Sequence, residues 1–237
     1  MGVNTFSRAG AFTLNPILYR KLPYDSERDF APISLVASQS LFVVASAKAP
    51  GKNFREMIAY AKANPGKLNY GSSGNGGTIH LAMELFKSET KTEMVHVPFK
   101  GSGETIRAVL AGEVQVSLTP PLNFVQHAQS GKARILAVAS ARRIPGLDYP
   151  TIAEAGVPGY TAGVWMALFA PAGTPRSIVE KINAVVNRAL QNPQVSGAYE
   201  RLGMSVEGGS VDDITKLYLD EVKRWPVVVK AAGLSLD

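Results

Sequence analysis

At 237 residues the chain has room for one large domain or two small ones. Hydrophobic residues make up 46% and charged residues 19%, which argues against a disordered chain and supplies enough apolar side chains for a core. The formal charge of +6 and pI ≈ 9.5 favour acidic ligands only weakly, because the basic residues are scattered and Arg142-Arg143 is the one arginine pair; no nucleic-acid partner is expected. There is no cysteine, which excludes disulfides, thiol catalysis and cysteine-based zinc sites and leaves the compartment open. The longest apolar runs are too short to span a bilayer. Met1–Phe12 carries a single arginine and no apolar core of adequate length, so it does not read as a signal peptide.

In chain order, Leu14–Tyr19 reads as a turn into a short helix, with Asn15 as cap and Pro16 at the first helical position. Leu22–Phe30 is a polar turn region in which Asp25 caps a single turn. Two strand runs follow, Ile33–Ala37 and Leu41–Ser46, broken by the polar Ser38-Gln39-Ser40. Asn53 caps a helix over Phe54–Ala63, with Phe54, Ile58 and Ala61 on one face, and Asn64-Pro65-Gly66 stops it. Leu68–Tyr70 is a strand, Thr78–Ser88 a helix, Met94–Val97 a strand and Glu104–Ala111 a helix stopped by Gly112. Val114–Leu118 is a strand, Thr119-Pro-Pro121 opens a helix through Ala128, and Ile135–Ala139 is a strand. This βαβαβαβ alternation predicts a parallel sheet with helices on both faces.

The connector Ala141–Tyr160 holds one short helix, Ile152–Ala155. Val164–Ala170 is a strand. Thr174 caps a helix running to Leu190, with an apolar face of Ile178, Ile182, Val185, Val186 and Ala189. A short helix over Val195–Leu202, a minimal strand at Val206 and a long helix over Val211–Ala232, bent at Pro226, complete the chain. No internal repeat is present. The alternation divides the chain into a discontinuous first lobe made from 1–40 and 161–237 and a continuous α/β second lobe over 41–160.

The most informative stretch is Leu68–Phe86. A strand is followed by the small-residue loop Ser72–Gly77 and then a helix with Thr78 as cap and Ile79, Met83 and Phe86 at helical spacing. A ligand can approach such a backbone closely, and unpaired N–H groups at a helix start attract an anion. A similar unit recurs at Val95–Val109 around Lys100-Gly-Ser-Gly103. Together they suggest a cradle for a carboxylate or phosphate; ordinary strand-to-helix loop chemistry explains either unit alone equally well. Gly71, Gly74 and Gly76 are spaced GxxGxG, not GxGxxG, and no P-loop pattern occurs. Glu93 sits about 20 residues on, but in the polar run before the next strand, so a dinucleotide site is a minor alternative.

Candidate chemistry is otherwise sparse. His80 and Glu84 share a helix face at i,i+4, which suits a capping or surface role better than a metal site, since no further ligands lie near in sequence. His96 and His127 read as structural. Neither HExxH nor GxSxG occurs, and no base is spaced to activate Ser72, Ser73 or Ser102. Trp165 and Phe124 read either as pocket walls or as core aromatics. Lys100 reads as an anion partner or as a solvated lysine. No cofactor and no metal are expected.

Several ordered segments resemble a known family. Leu22-Pro-Tyr-Asp with Asp29-Phe-Ala-Pro32, Tyr70-Gly-Ser-Ser-Gly-Asn-Gly with His80-Leu, and Val97-Pro-Phe-Lys-Gly-Ser102 are similar to the Bug-type substrate-binding proteins of tripartite tricarboxylate transporters. Ser140-Ala-Arg-Arg143, Pro150–Tyr160 and Leu168–Pro175 extend the likeness over nearly the whole chain. The resemblance implies an α/β, periplasmic-binding-protein-like (Venus flytrap) fold: two lobes joined by crossing strands and closing on a small carboxylated solute. It implies a periplasmic location, membrane transporter subunits as partners and no enzyme activity. One ligand carboxylate would be held by backbone amides and hydroxyls of Ser72, Ser73, Gly74, Gly76, Gly77 and Thr78, with Gly101 and Ser102 at the pocket's edge.

Against the family pattern this chain starts late, so the resemblance implies an incomplete first lobe with an open sheet edge and half a carboxylate clamp, and hence weak binding. The segment around Ser7–Phe12 is divergent. Thr119-Pro120-Pro121 stands where many members carry an acid, which implies a ligand without a free amine and makes Thr119 a candidate contact. Read from the residues alone, the alternative is a small α/β enzyme acting on an acidic or phosphorylated substrate.

Overall fold

A computed structural model describes residues 5–144 and 146–234, with side chains for all of these except residues 5–9, 123 and 231. Met1–Asn4 and Pro145, which fall in the opening stretch and in the connector, lie outside the described residues. The chain divides into two compact units, Ser40–Gly163 and the pair Met1–Gln39 with Val164–Asp237.

The continuous unit carries a five-stranded sheet. Its elements in the chain's overall numbering are β3 (Phe42–Ser46), α3 (Phe54–Ala63), β4 (Leu68–Ser72), α4 (Thr78–Thr90), β5 (Met94–Pro98), α5 (Ser102–Ala111), β6 (Val116–Thr119), α6 (Val125–Gln129) and β7 (Ala133–Val138). The strand order is β5-β4-β6-β3-β7. β4 runs parallel to β5 and β6, whereas β3 runs antiparallel to β6 and β7. The sheet is therefore mixed, not wholly parallel as the alternation predicts. Strand–helix alternation does not reveal which end of the sheet a helix returns to, and α3 brings the chain back to the end at which β3 stopped. The strand ends of β4, β5, β6 and β7 consequently lie along one edge.

Local chemistry explains the elements. Asn53 caps α3 by accepting the Glu56 N–H at 3.0 Å, while Glu56 accepts from the Lys52 N–H at 2.8 Å. The buried stripe of α3 is Phe54, Met57 and Ala61, one residue off the expected Ile58. The expected helix after Thr119 splits into a 3-10 turn at Pro121–Asn123 and the short α6. Ile152–Ala155 is a single turn, not a helix, closed by reciprocal bonds between Thr151 and Glu154. Phe42, Val44, Val109, Val114, Phe124 and Val138 form the core on one side of the sheet. Where the chain enters and leaves this unit, three segments are stitched together: Leu41 N–H to the Ala162 carbonyl (3.0 Å), Ala162 N–H to that of Ala139 (2.9 Å), and Ala139 N–H to that of Leu41 (2.8 Å).

The discontinuous unit holds β1 (Thr5–Arg8), α1 (Ala9–Thr13), α2 (Asn15–Leu18), β2 (Phe30–Ser40), β8 (Gly163–Pro171), α7 (Arg176–Leu190), α8 (Pro193–Arg201), β9 (Ser205–Val206) and α9 (Val211–Ala231). Its sheet order is β1-β8-β2-β9. β2 runs straight through Ser38-Gln39-Ser40 because Ser38 and Ala37 pair with β9, and Gln39 donates to the Leu202 carbonyl at 2.9 Å. Asn15 is the first residue of α2 rather than its cap. Asp25 caps its turn as expected, accepting from the Glu27 and Arg28 amides at 3.1 and 3.0 Å. Thr174 does not cap α7: its hydroxyl donates back to Pro171 at 2.8 Å, and Pro175 is the cap position.

The face of α7 also differs from the apolar periodicity. Val179 and Leu190 are buried, while Ile178 and Val185 are about half exposed. Ile182 and Val186 pack against the unit's core as the periodicity expects, and Asn183 and Asn187 share that inward side because they bond backbone: Asn183 donates to the Ile33 carbonyl at 2.8 Å, and Asn187 both donates to the Gly209 carbonyl and accepts its N–H at 2.9 Å. Ser210 and Asp213 form a capping box on α9. Phe12, Trp165, Phe169, Ile214 and Tyr218 form this unit's aromatic core, with Phe12 stacked on Phe169 at 4.2 Å.

Candidate functional site

Four connections leave the shared edge of the continuous unit: 73–77 after β4, 99–101 after β5, Pro120 onward after β6 and Ala139 onward after β7. Ligands of open α/β sheets sit at such carboxyl ends of parallel strands. The first two loops touch, since the Phe99 N–H donates to the Ser72 carbonyl at 2.9 Å. Gly71 permits the approach beneath them: a Cβ there would lie 3.0 Å from Thr105 Cγ2 and 3.1 Å from Val114 Cγ2. Gly74 and Gly76 have φ of 131° and 70°, which reserves both places for glycine.

The cap of α4 is Gly77, not Thr78, and no side chain caps it. Thr78 is the first helical residue. The first helical bond runs from the Leu81 N–H to the Gly77 carbonyl, so the Thr78, Ile79 and His80 amides lie ahead of it. The first turn holds no acid. α5 differs. Gly101 is its cap position, Ser102 and Gly103 begin the helix, and Glu104 in its first turn reaches back to accept the Lys100 N–H at 3.1 Å. That carboxylate already faces the positive end of α5. The two expected cradles are thus unequal, and an anion is better received at α4.

Beneath the α4 loop lies a polar cluster of which sequence reading pairs only His80 and Glu84. Tyr70 and His96 are register partners on β4 and β5, with rings stacked at 4.8 Å. His80 stacks on His96 at 3.7 Å. The His80 Nδ1 accepts the Gly76 N–H at 3.0 Å, which puts its proton on Nε2, the nitrogen 4.0 Å from the Glu84 carboxylate. Tyr70 donates its hydroxyl hydrogen bond to Glu84, and Lys87 donates to both Glu84 oxygens at 2.8 and 2.9 Å. Burial lowers the pKa of His80, against the pull of Glu84, and lowers that of His96 to about 4, with His80 adding to the effect; both rings are neutral at physiological pH. Burial and the bond to Glu84 raise the Tyr70 pKa.

The sequence-predicted residues therefore divide. Ser73, Gly74, Gly77 and Thr78 are partly exposed along the loop. Ser72 is fully buried, its hydroxyl meeting His96 Nε2 at 2.6 Å and donating to the Gly74 carbonyl at 3.0 Å. Gly76 is buried and its amide is taken by His80. Thr119 ends β6 opposite Phe42 and is 3% exposed. Trp165 and Phe124 are both core aromatics, in the clusters of their respective units. A cavity of about 400 Å³ in the discontinuous unit, lined by Phe12, Thr13, Tyr24, Ser26, Tyr218 and Pro226, contains none of the predicted site residues. The supporting role of Tyr70 and His96 is missed in sequence because it depends on strand register, with the i,i+2 placement of Tyr70 and Ser72 on one face of β4 as a local sign of it; Lys87 is legible locally as the i,i+3 partner of Glu84 on α4.

The family model for the tripartite tricarboxylate transporter family receptor matches residues 3–234. A UPF0065 protein from the tcbD-tcbE intergenic region of Pseudomonas sp. strain P51 is 37% identical over 213 residues, which is 89% of this chain and 63% of that protein. The chain thus spans less than two thirds of that relative's length. Among solved structures, an R. palustris protein with adipate is 34% identical with a TM-score of 0.80, over 98% of this chain and 78% of that one. MatC from Rhodopseudomonas palustris with bound malate is 31% identical with a TM-score of 0.74, over 94% of this chain and 78% of that one. With its fold, its ordered motifs and its near-complete match to the family model in agreement, the chain belongs to the tripartite tricarboxylate transporter receptor family.

Proposed function

We propose that the chain captures a small carboxylate on the loop at the start of α4 and delivers it, in the periplasm, to membrane subunits of a tripartite tricarboxylate-type transporter. The observation that carries this reading is the uncapped, acid-free start of α4, where three amides precede the first helical bond. The adipate and malate in the two similar structures supply the ligand class. Ser73, Gly77, Thr78, Gly101 and Ser102 are the proposed contacts, with Ser72, Gly74 and Gly76 shaping the loop from below. Thr119, by its place at the end of β6, completes the proposed set; Trp165 is packed in the core of the discontinuous unit and is not part of it. Among the described residues no helix is long and apolar enough to cross a membrane. Membership of a receptor family disfavours the alternative of an enzyme acting on an acidic or phosphorylated substrate.

A melting-temperature screen tests the proposal, because a ligand selective for the folded chain raises its midpoint. Millimolar adipate or malate is expected to raise it, and ATP is not. Aspartate and glutamate are expected to do less than succinate, since no acid follows β6 to receive an amine. A rise with ATP alone, or with no carboxylate, would overturn the reading.

A further inference from the structure

We infer that His80 and His96 are positioning residues of the α4 loop, deciding which of its peptide N–H groups a carboxylate can reach. The inference rests on the proposed carboxylate site and names the groups that shape it. The loop from Ser72 to Gly77 contains three glycines and would by itself sample many backbone conformations. Two contacts from below restrict it. His80, in the first turn of α4, turns its Nδ1 back to accept the Gly76 N–H at 3.0 Å. His96, on β5, meets the Ser72 hydroxyl at 2.6 Å, and that hydroxyl holds both the carbonyl and the N–H of Gly74, at 3.0 and 3.3 Å.

The Gly74 and Gly76 amides are therefore turned inward and spent within the fold. Among the described residues, no acceptor meets the amides of Ser73, Asn75 and Gly77. These alternate along the loop with the two that are held, and lead into the uncapped Thr78 amide. The two rings brace each other, stacked at 3.7 Å, and Tyr70 closes the stack on the other side of His96. Glu84, fixed by Tyr70 and Lys87, faces the Nε2 edge of His80 and keeps Nδ1 as the acceptor. Alternating inward and outward amides present a row of donors to a planar carboxylate, which accepts up to four hydrogen bonds. Without the inward bonds that row would no longer be preset, and the ordering would have to accompany binding.

The test compares replacements that keep the hydrogen bond with replacements that lose it. Asn places an oxygen where His80 has Nδ1 to accept the Gly76 N–H, and Gln places an amide where His96 has Nε2 to meet the Ser72 hydroxyl; leucine fills the space and makes no hydrogen bond. In the ligand-free chain, hydrogen–deuterium exchange over residues 71–82 is expected to speed up by tenfold or more in His80→Leu, and to stay within about threefold of the parent in His80→Asn. Titration with adipate at pH 7.5 is expected to show at least tenfold weaker binding for His80→Leu and His96→Leu, with His80→Asn and His96→Gln near the parent. Unchanged exchange in His80→Leu, or equal loss in the leucine and amide variants, overturns the positioning role. If the parent chain bound no carboxylate while the exchange pattern held, the ligand reading would fail and the loop-shaping role would stand.

Discussion

His96 has a stability consequence whose sign follows from its surroundings. Its pKa is lowered from 6.5 to about 4, chiefly by burial and then by His80 beside it, while Glu84 opposes the shift and Lys87 adds to it. The folded state prefers the neutral ring. The stabilisation is present in full above the unfolded value near 6.5 and is lost as pH falls from there towards 4. At about 1.4 kcal/mol per pH unit, His96 accounts for up to about 3 kcal/mol of that loss. Urea unfolding between pH 4.5 and 7.5 is expected to show stability falling towards acid, and a shallower fall in His96→Gln. An identical slope in the variant would remove His96 as the cause. At this scale the sequence was partly legible. Ser73, Gly77 and Thr78 stand on the expected loop, and Asp25 caps the expected turn. Ser72 and Gly76 belong to the same stretch, but their inward hydrogen bonds depend on His80 folding back and on His96 arriving from the next strand.

Among the elements, α3 shows what local chemistry decides and α7 what it does not. The limits of α3 follow from Asn53 at its start and Asn64-Pro65-Gly66 at its end, both readable without tertiary context. In α7 the expected face packs only in part: Ile182 and Val186 reach the core, Ile178 and Val185 are about half exposed, and two asparagines share the inward side. Asn187 answers both the N–H and the carbonyl of Gly209, the residue before the α9 cap. Asn187→Ala should therefore cost about 1–3 kcal/mol, more than a typical surface change, by leaving two backbone groups unanswered. Chemical denaturation measures this, and a change within about 0.5 kcal/mol would show that water replaces the side chain. Periodicity counts apolar residues and cannot register an amide whose partner lies elsewhere in the chain. The mixed sheet escaped for a related reason: the direction of β3 is set by its neighbours β6 and β7, which arrive some 70 to 90 residues later.

For the whole molecule, each unit has its own sheet and its own apolar core, so each has the means of folding on its own. The candidate anion loop, the histidine pair beneath it and the neighbouring loops all belong to Ser40–Gly163. That segment is one uninterrupted piece of chain, and its first and last residues are neighbours, since Leu41 and Ala162 share a hydrogen bond and both bond to Ala139. A piece closed in this way can be excised and transplanted. Expressed alone, residues 40–163 should melt cooperatively by circular dichroism and keep the slow exchange of the Gly76 amide; a molten, unprotected fragment would show that the rest of the chain is needed to hold it. The loop would then be a portable receptor tip, open to grafting onto another scaffold through a single pair of adjoining ends.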